Sequence, residues 1–376
     1  MEFQYHLPVN LVFGRGKADQ IGKLSAPYGT RALIVTGGSS TKRSGLLDKT
    51  VGLLEACGIS SVVFDRVTPN PLTETVYEGA ALAKAEDCDF IVGIGGGSSL
   101  DAAKGIAFQV VNGGDISEYI FGLKVSDKAL PIVAVPTTCG TGSEGNGYAV
   151  LTNPQTLDKK SLRTVCIVPS CSIIDPLLMT TMPKRVLASV GFDALCHNME
   201  AYLSGAGNAL TKVQALEGVS LTAQGLRRAY RDAGDLEGWD MLSLGSTLGG
   251  MTIGAASVTA PHALEHPASG LRNIVHGDGL AALTCPIIRH TLPAAEAQYL
   301  ELARRIGGPS ATDIVAELES LLTELNLRVR LRDFGITEAD IPWMAENCVK
   351  IFLGGLKAHP KFFEPAELME IYAEAL

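Results

Sequence analysis

The sequence is short of positive charge: 31 Lys and Arg stand against 40 Asp and Glu, a net charge of −9 over 376 residues. Partners such as nucleic acid or an anionic membrane call for a basic face, so neither is expected. Long apolar runs are also missing. Each is broken by glycine, proline or charge before the ~20 residues that a membrane helix needs. The first ten residues lack a basic stretch followed by an apolar one and do not read as a signal peptide. Eight cysteines are scattered without a CxxC pair, and a chain of this size does not need disulfide staples. A reducing, cytoplasmic setting is therefore expected. Histidine is scarce, at seven residues, so any grouping of it is informative.

What is present describes a globular protein. Apolar residues make up 46 %, and the length exceeds the ~250–300 residues at which single cores stop growing, so two domains are expected. Over residues 1–180, short β-rich runs alternate with helical stretches such as Thr73–Glu86. The runs are Arg31–Thr36, Ser61–Asp65, Phe90–Ile94 and Ile132–Val135. Nearly unbroken apolar strands of this kind suit a parallel sheet covered on both faces, and the alternation predicts a doubly wound, Rossmann-like α/β domain. Over residues 181–376 helical periodicity takes over, which predicts an all-helical second domain, with a ligand cleft expected where the two meet.

Three loops that follow predicted strands are built for a phosphorylated ligand. Gly95-Gly96-Gly97-Ser98-Ser99 stands between a strand and a helix that contains Asp101 and Lys104. Glycines allow the backbone to approach a pyrophosphate, and a helix N-terminus offers unpaired N–H groups. Thr36-Gly37-Gly38-Ser39-Ser40 and the hydroxyl-rich Pro136–Glu144 loop also follow strands. At the ends of parallel strands, all three would converge on one edge of the sheet.

The helical half carries a different chemistry. Asp193 and His197 are four apart, as are His262 and His266, and His276 follows. On a helix that spacing stacks two side chains on one face. Imidazoles with a carboxylate make a donor set for one first-row divalent metal, Fe(II) or Zn(II), with a position left for substrate. His6, His290 and His359 stand alone and are read as structural or surface residues.

In this order the motifs resemble the iron-containing alcohol dehydrogenases, which have the dehydroquinate-synthase-like fold. The resemblance runs from Gly95-Gly96-Gly97-Ser98 with Asp101 and Lys104, through Pro136-Thr137-Thr138 and Thr141-Gly142-Ser143-Glu144, to Asp175-Pro176. It continues through Gly191-Phe192-Asp193-Ala194 with His197 and Glu200-Ala201-Tyr202, and ends at His262-x3-His266-Pro267 and His276-Gly277. It implies that Asp193, His197, His262 and His276 are metal ligands. His266 would lie beside the nicotinamide and substrate without binding metal. Gly96, Gly97 and Ser98 would meet the pyrophosphate, Thr137, Thr138, Thr141 and Ser143 the rest of the cofactor, and Lys159 the ribose. Asp101, Gly37, Gly38, Ser39 and Ser40 complete the expected cofactor set.

The activity implied is hydride transfer between a small alcohol, diol or aldehyde and a nicotinamide cofactor, in a homodimer or larger homo-oligomer. Two departures from the family pattern matter. Where many NAD-using members resemble one another in having an acidic residue, this chain has Gly37, with Lys42 and Arg43 nearby. A carboxylate there would repel a 2′-phosphate, so its absence favours NADP(H) over NAD(H). After Glu144, Gly145-Asn146-Gly147-Tyr148 replaces the usual Val-Thr. The glycines would loosen the loop, and Tyr148 is either a substrate-facing residue of the catalytic pocket or a packing residue. The alternatives are a lyase or cyclase similar to dehydroquinate synthase, a glycerol-type polyol dehydrogenase, and a non-catalytic nucleotide-binding or metal-sensing protein.

Overall fold

The computed structural model describes residues 2–376, which divide into an α/β unit of Tyr5–Thr138 and Gly142–Met179 and a helical unit built on Thr180–Leu376. Cys139–Thr141 is an excursion that packs with the helical unit although it lies in the middle of the α/β sequence. No feature of the local sequence marks it.

The α/β unit contains the strands Asn10–Phe13 (β1), Arg31–Gly37 (β2), Ser60–Val67 (β3), Phe90–Gly95 (β4), Ile132–Pro136 (β5), Tyr148–Thr152 (β6), Lys159–Arg163 (β7) and Cys171–Ile174 (β8). Six of them form one sheet in the order β1-β8-β5-β4-β2-β3, with every neighbouring pair parallel. Alternate residues of β2 serve opposite cores. Ala32 and Ile34 join Leu46, Leu47 and Leu54 on one side, while Leu33 and Val35 join Val76, Ile106 and Phe108 on the other. Burial on both faces explains the unbroken apolar runs, because neither set of side chains meets water. β2 is followed by β3 on one side of it, whereas β4 lies on the other. The direction in which successive strands are added therefore reverses between β2 and β4, the switch point at which such folds bind ligands.

The four strands read from the sequence are present. β1 and β8, four residues each, are too short to announce themselves, and the antiparallel ribbon β6–β7 has weak alternation. The loop before that ribbon corrects an expectation: Gly142–Gly147 is buried rather than loosened by its glycines, because Asn146 ties it down as described below.

The helical unit surrounds the helix Lys184–Leu203, which is buried along nearly its whole length from Leu187 to Leu203. Ala209–Arg231 and Leu236–Ala256 pack against it. The first of these starts at a capping box, with Asn208 accepting from the Thr211 N–H and Thr211 from the Asn208 N–H, and ends with Arg228 and Arg231 in its last turn. Both features favour the helix at the terminus where they occur. The helices Ala260–Arg272 and His276–Thr291 follow. Among the described residues no single helix is long and apolar enough to cross a membrane. All eight cysteines are free thiols.

Candidate active site

The helical unit brings Asp193, His197, His262 and His276 to one point. Asp193 and His197 lie one turn apart on the buried helix, His262 comes from the first turn of Ala260–Arg272, and His276 opens the next helix. Asp193 Oδ1 lies 3.5 Å from His197 Nε2, 3.4 Å from His262 Nε2 and 3.9 Å from His276 Nε2. Two atoms each about 2.1 Å from one tetrahedral ion stand about 3.4 Å apart, so the spacing is that of ligands around a shared cation. Asp193 Oδ1 and His262 Nε2 are buried without a hydrogen-bond partner. A buried polar atom left so is costly, and a metal ion satisfies both at once. His276 is the most open of the four, with 23 % of its side chain exposed, against 3–6 % for the others.

Each imidazole is aimed by a partner on its other nitrogen. His262 Nδ1 donates to Glu200 Oε1 at 2.5 Å, and His276 Nδ1 stands in ion-pair contact with the Glu265 carboxylate. His197 Nδ1 lies 3.3 Å from the Gly140 carbonyl, which arrives on the Cys139–Thr141 excursion. A partner at Nδ1 turns Nε2 of each ring toward the cluster, the orienting role of outer partners in metal sites. Glu200 is itself held by the Thr259 N–H at 2.7 Å and the Thr259 hydroxyl at 3.3 Å. The sequence reading did not single out Glu200, Glu265 or Gly140 for this role. Glu200 had a signal, since it sits three residues after His197 on the same helix face. Glu265 and Gly140 had none.

Charge follows burial. Burial pushes His197 down to about 4 despite the carboxylate of Asp193, so its ring is neutral at physiological pH. Burial would also raise Asp193, but the surrounding imidazoles hold it well below the usual carboxylate range. Burial would lower His262, yet Glu200 and Asp193 raise it to about 10. A cation must therefore displace a proton from His262 at any pH below about 10, and proton competition grows as pH falls. Between pH 8 and pH 6 the apparent metal affinity is expected to drop about tenfold per pH unit for each proton displaced, checked by titration calorimetry in buffers of different ionisation enthalpy. Glu200→Gln removes the partner that fixes this ring. It is expected to weaken metal binding about 10–100-fold, read by competition with a chelator.

His266 does not join the four. Its ring meets Phe352 edge-on at 4.9 Å between centroids and lies 5.6 Å from His276 and 6.4 Å from His262. The second i,i+4 pair of the sequence thus splits between the cluster and its border.

In the α/β unit the three predicted loops converge. β2, β4 and β5 are neighbours, and their ends carry Gly37, Gly95 and Pro136. The Thr137 N–H donates to the Gly95 carbonyl at 2.9 Å. Gly95 has φ +144°, a conformation open to glycine but strained for other residues. It turns the chain into the helix Gly97–Asn112, whose N-terminus has no side-chain cap, so the first-turn N–H groups beside Gly96, Gly97 and Ser98 are available to an anion. Ser39 precedes the short helix Ser40–Arg43 without a side-chain capping bond, and Lys42 in that helix forms an ion pair with Asp65 of β3. Two residues of the expected cofactor set are engaged internally: the Ser143 hydroxyl donates to Asp101 at 2.7 Å. Lys159 opens β7 and is buried. The Tyr148 ring lies under the Arg163 guanidinium at 4.6 Å, at the start of the β6–β7 ribbon.

Residues 8–176 match the family model of the iron-containing alcohol dehydrogenases, and residues 187–376 match the C-terminal model of the same family. The chain is 34 % identical to 1,3-propanediol dehydrogenase of Klebsiella pneumoniae over 99 % of its own length and 98 % of that protein's. It is 33 % identical to alcohol dehydrogenase 4 of Schizosaccharomyces pombe, over 92 % and 83 %. An alcohol dehydrogenase from an archaeal halo-thermophile of a Red Sea brine pool superposes with a TM-score of 0.95 at 30 % identity, covering 100 % of this chain and 99 % of that one.

Proposed function

The chain belongs to the iron-containing alcohol dehydrogenase family, and from that premise we propose that it interconverts a small primary alcohol or diol and its aldehyde, using one divalent metal and NADP(H). The observation that carries the metal part is the buried, unpartnered Asp193 Oδ1 at 3.4–3.9 Å from three imidazole nitrogens. In this reading Asp193, His197, His262 and His276 hold the ion. Bound there, a divalent ion lowers the pKa of an alcohol and polarises a carbonyl, while the nicotinamide exchanges the hydride.

The chain's own residues supply position and proton handling. Glu200 and Glu265 hold His262 and His276 with Nε2 turned inward. His266, buried at the border of the cluster, is the residue assigned to carry the alcohol proton outward, as a general base with free rotation limited by Phe352. The N–H groups at Gly96–Ser98 bind the pyrophosphate, and Thr137 and Thr138 line its surroundings. The free thiols agree with a cytoplasmic setting.

NADP(H) is favoured by the absence of a carboxylate at Gly37 and by Lys42. The Lys42–Asp65 pair is on the surface, with 48 % and 33 % of the side chains exposed. Such a pair is worth ~0–1 kcal/mol, so a 2′-phosphate can compete for the lysine. The expected result is a kcat/KM about tenfold or more higher with NADPH than with NADH, reduced in Lys42→Ala. Steady-state rates of aldehyde reduction with both cofactors check it, and a clear NADH preference would overturn it. A panel of short alcohols and diols assayed with Fe(II)- and Zn(II)-loaded protein tests the activity itself.

A further inference from the structure

Lys104 is wholly buried in the α/β unit, on the helix Gly97–Asn112. A buried ammonium persists only where its donors are matched. Lys104 Nζ donates to Ser143 Oγ at 2.8 Å, to Asn146 Oδ1 at 3.2 Å and to the Tyr148 carbonyl at 2.8 Å. All three acceptors lie on one segment, the loop that runs from β5 into β6. Asp101, one turn earlier on the same helix, doubles the attachment by accepting from the Ser143 hydroxyl at 2.7 Å and the Val150 N–H at 3.0 Å. Asn146 closes the figure by accepting from the Tyr148 N–H at 2.9 Å. Burial pushes Lys104 down to about 8, partly offset by Asp101 and Glu144.

The two bodies joined in this way are the two halves of the nucleotide cradle. The helix contributes the N-terminus at Gly96–Ser98, and the loop begins at Thr137 and Thr138. Between Gly140 and Gly147 every other residue or so is glycine, so the loop has little intrinsic stiffness. We propose that Lys104 is a positioning residue for the cofactor: through Ser143, Asn146 and Tyr148 it locks the β5–β6 loop to the pyrophosphate-binding helix and so preorganises the nicotinamide-nucleotide site. The inference rests on the cofactor reading above. Preorganisation raises affinity by reducing the ordering cost of binding, so the lysine acts on cofactor affinity and KM rather than on the chemical step.

The test uses the metal-loaded protein. Lys104→Met is expected to raise the NADPH dissociation constant, followed by nucleotide fluorescence, about tenfold or more, with KM for NADPH rising in parallel. Metal content and kcat at saturating cofactor are expected to stay within about threefold. Asn146→Ala, which leaves the ammonium two of its three acceptors, is the milder variant should the methionine protein fold poorly. It is expected to raise the same constant about threefold. Amide exchange across residues 142–150 is read without cofactor and should quicken in both variants. A folded variant with unchanged NADPH affinity, or with lower kcat and unchanged KM, overturns the role of Lys104. Failure of the unsubstituted protein to bind either NADPH or NADH would instead strike at the dehydrogenase reading, and faster exchange in the variants would still show what Lys104 holds.

Discussion

His262→Ala is expected to lose metal and turnover together, with activity down by more than about 100-fold, beyond the range seen when only an outer partner of a metal site is removed. The size of the effect follows from three losses at one position. The proposed ligand nitrogen disappears from beside Asp193, where it stood 3.4 Å away. Glu200 keeps its charge in a buried site but loses the imidazole that balances it. The stacked His197 ring, 4.6 Å away between centroids, loses its neighbour. Metal analysis of the purified protein, together with the rate after adding excess Fe(II) or Zn(II), checks the outcome. His266→Ala is the control, since it changes a buried imidazole that borders the same cluster. It is expected to keep full metal content and lose rate, with the pH profile of kcat altered. Full metal and full turnover in His262→Ala would show that the convergence of these side chains has no ligand role.

Gly277→Ala is expected to damage the same site from a distance, by geometry alone. A Cβ at residue 277 would stand 2.0 Å from the Ser189 carbonyl oxygen and 2.7 Å from its hydroxyl. Ser189 belongs to the helix that carries Asp193, and Gly277 follows His276. The clash is with backbone, so no side-chain rotation relieves it, and the two helices must separate. Arg185 opposes that separation, because it binds Asp278 through both guanidinium nitrogens, one at 3.0 Å. Overpacking of this kind costs about 1–3 kcal/mol and sometimes more, which corresponds to a fall in melting temperature of up to about 10 °C for a unit of this size. His276 moves with its helix, so metal affinity should fall as well. Calorimetric melting and metal content check both parts, and a variant that melts and loads like the unsubstituted protein would refute the argument.

The site was unevenly legible. The i,i+4 spacing of Asp193 and His197 announced a shared helical face, and that pair does meet. The same spacing at His262 and His266 suggested another pair, yet only His262 reaches Asp193. Spacing places two side chains on one face of a helix but does not say what stands opposite each, and here one faces the carboxylate and the other faces Phe352. Glu265 and Gly140 were invisible because each acts on a histidine distant in the chain, 11 and 57 residues away respectively. The loop at Gly145–Gly147 misled in the other direction: glycine implied looseness, whereas Lys104 and Asn146 bury and bind it.

The places of the central strands β2, β4 and β5 were written in the chain, because a strand covered on both faces must be apolar throughout, and each of these runs into a loop of glycine or small hydroxyl residues. The chemistry of a candidate donor set was written there as well, since carboxylate and imidazole are chemical properties of single residues. Tertiary structure alone decided which nitrogen of each ring faces inward, which carboxylates aim them, and that two helices would touch backbone to backbone at Gly277. Those outcomes depend on distances between segments far apart in the chain, set by packing, and no local run of residues encodes them.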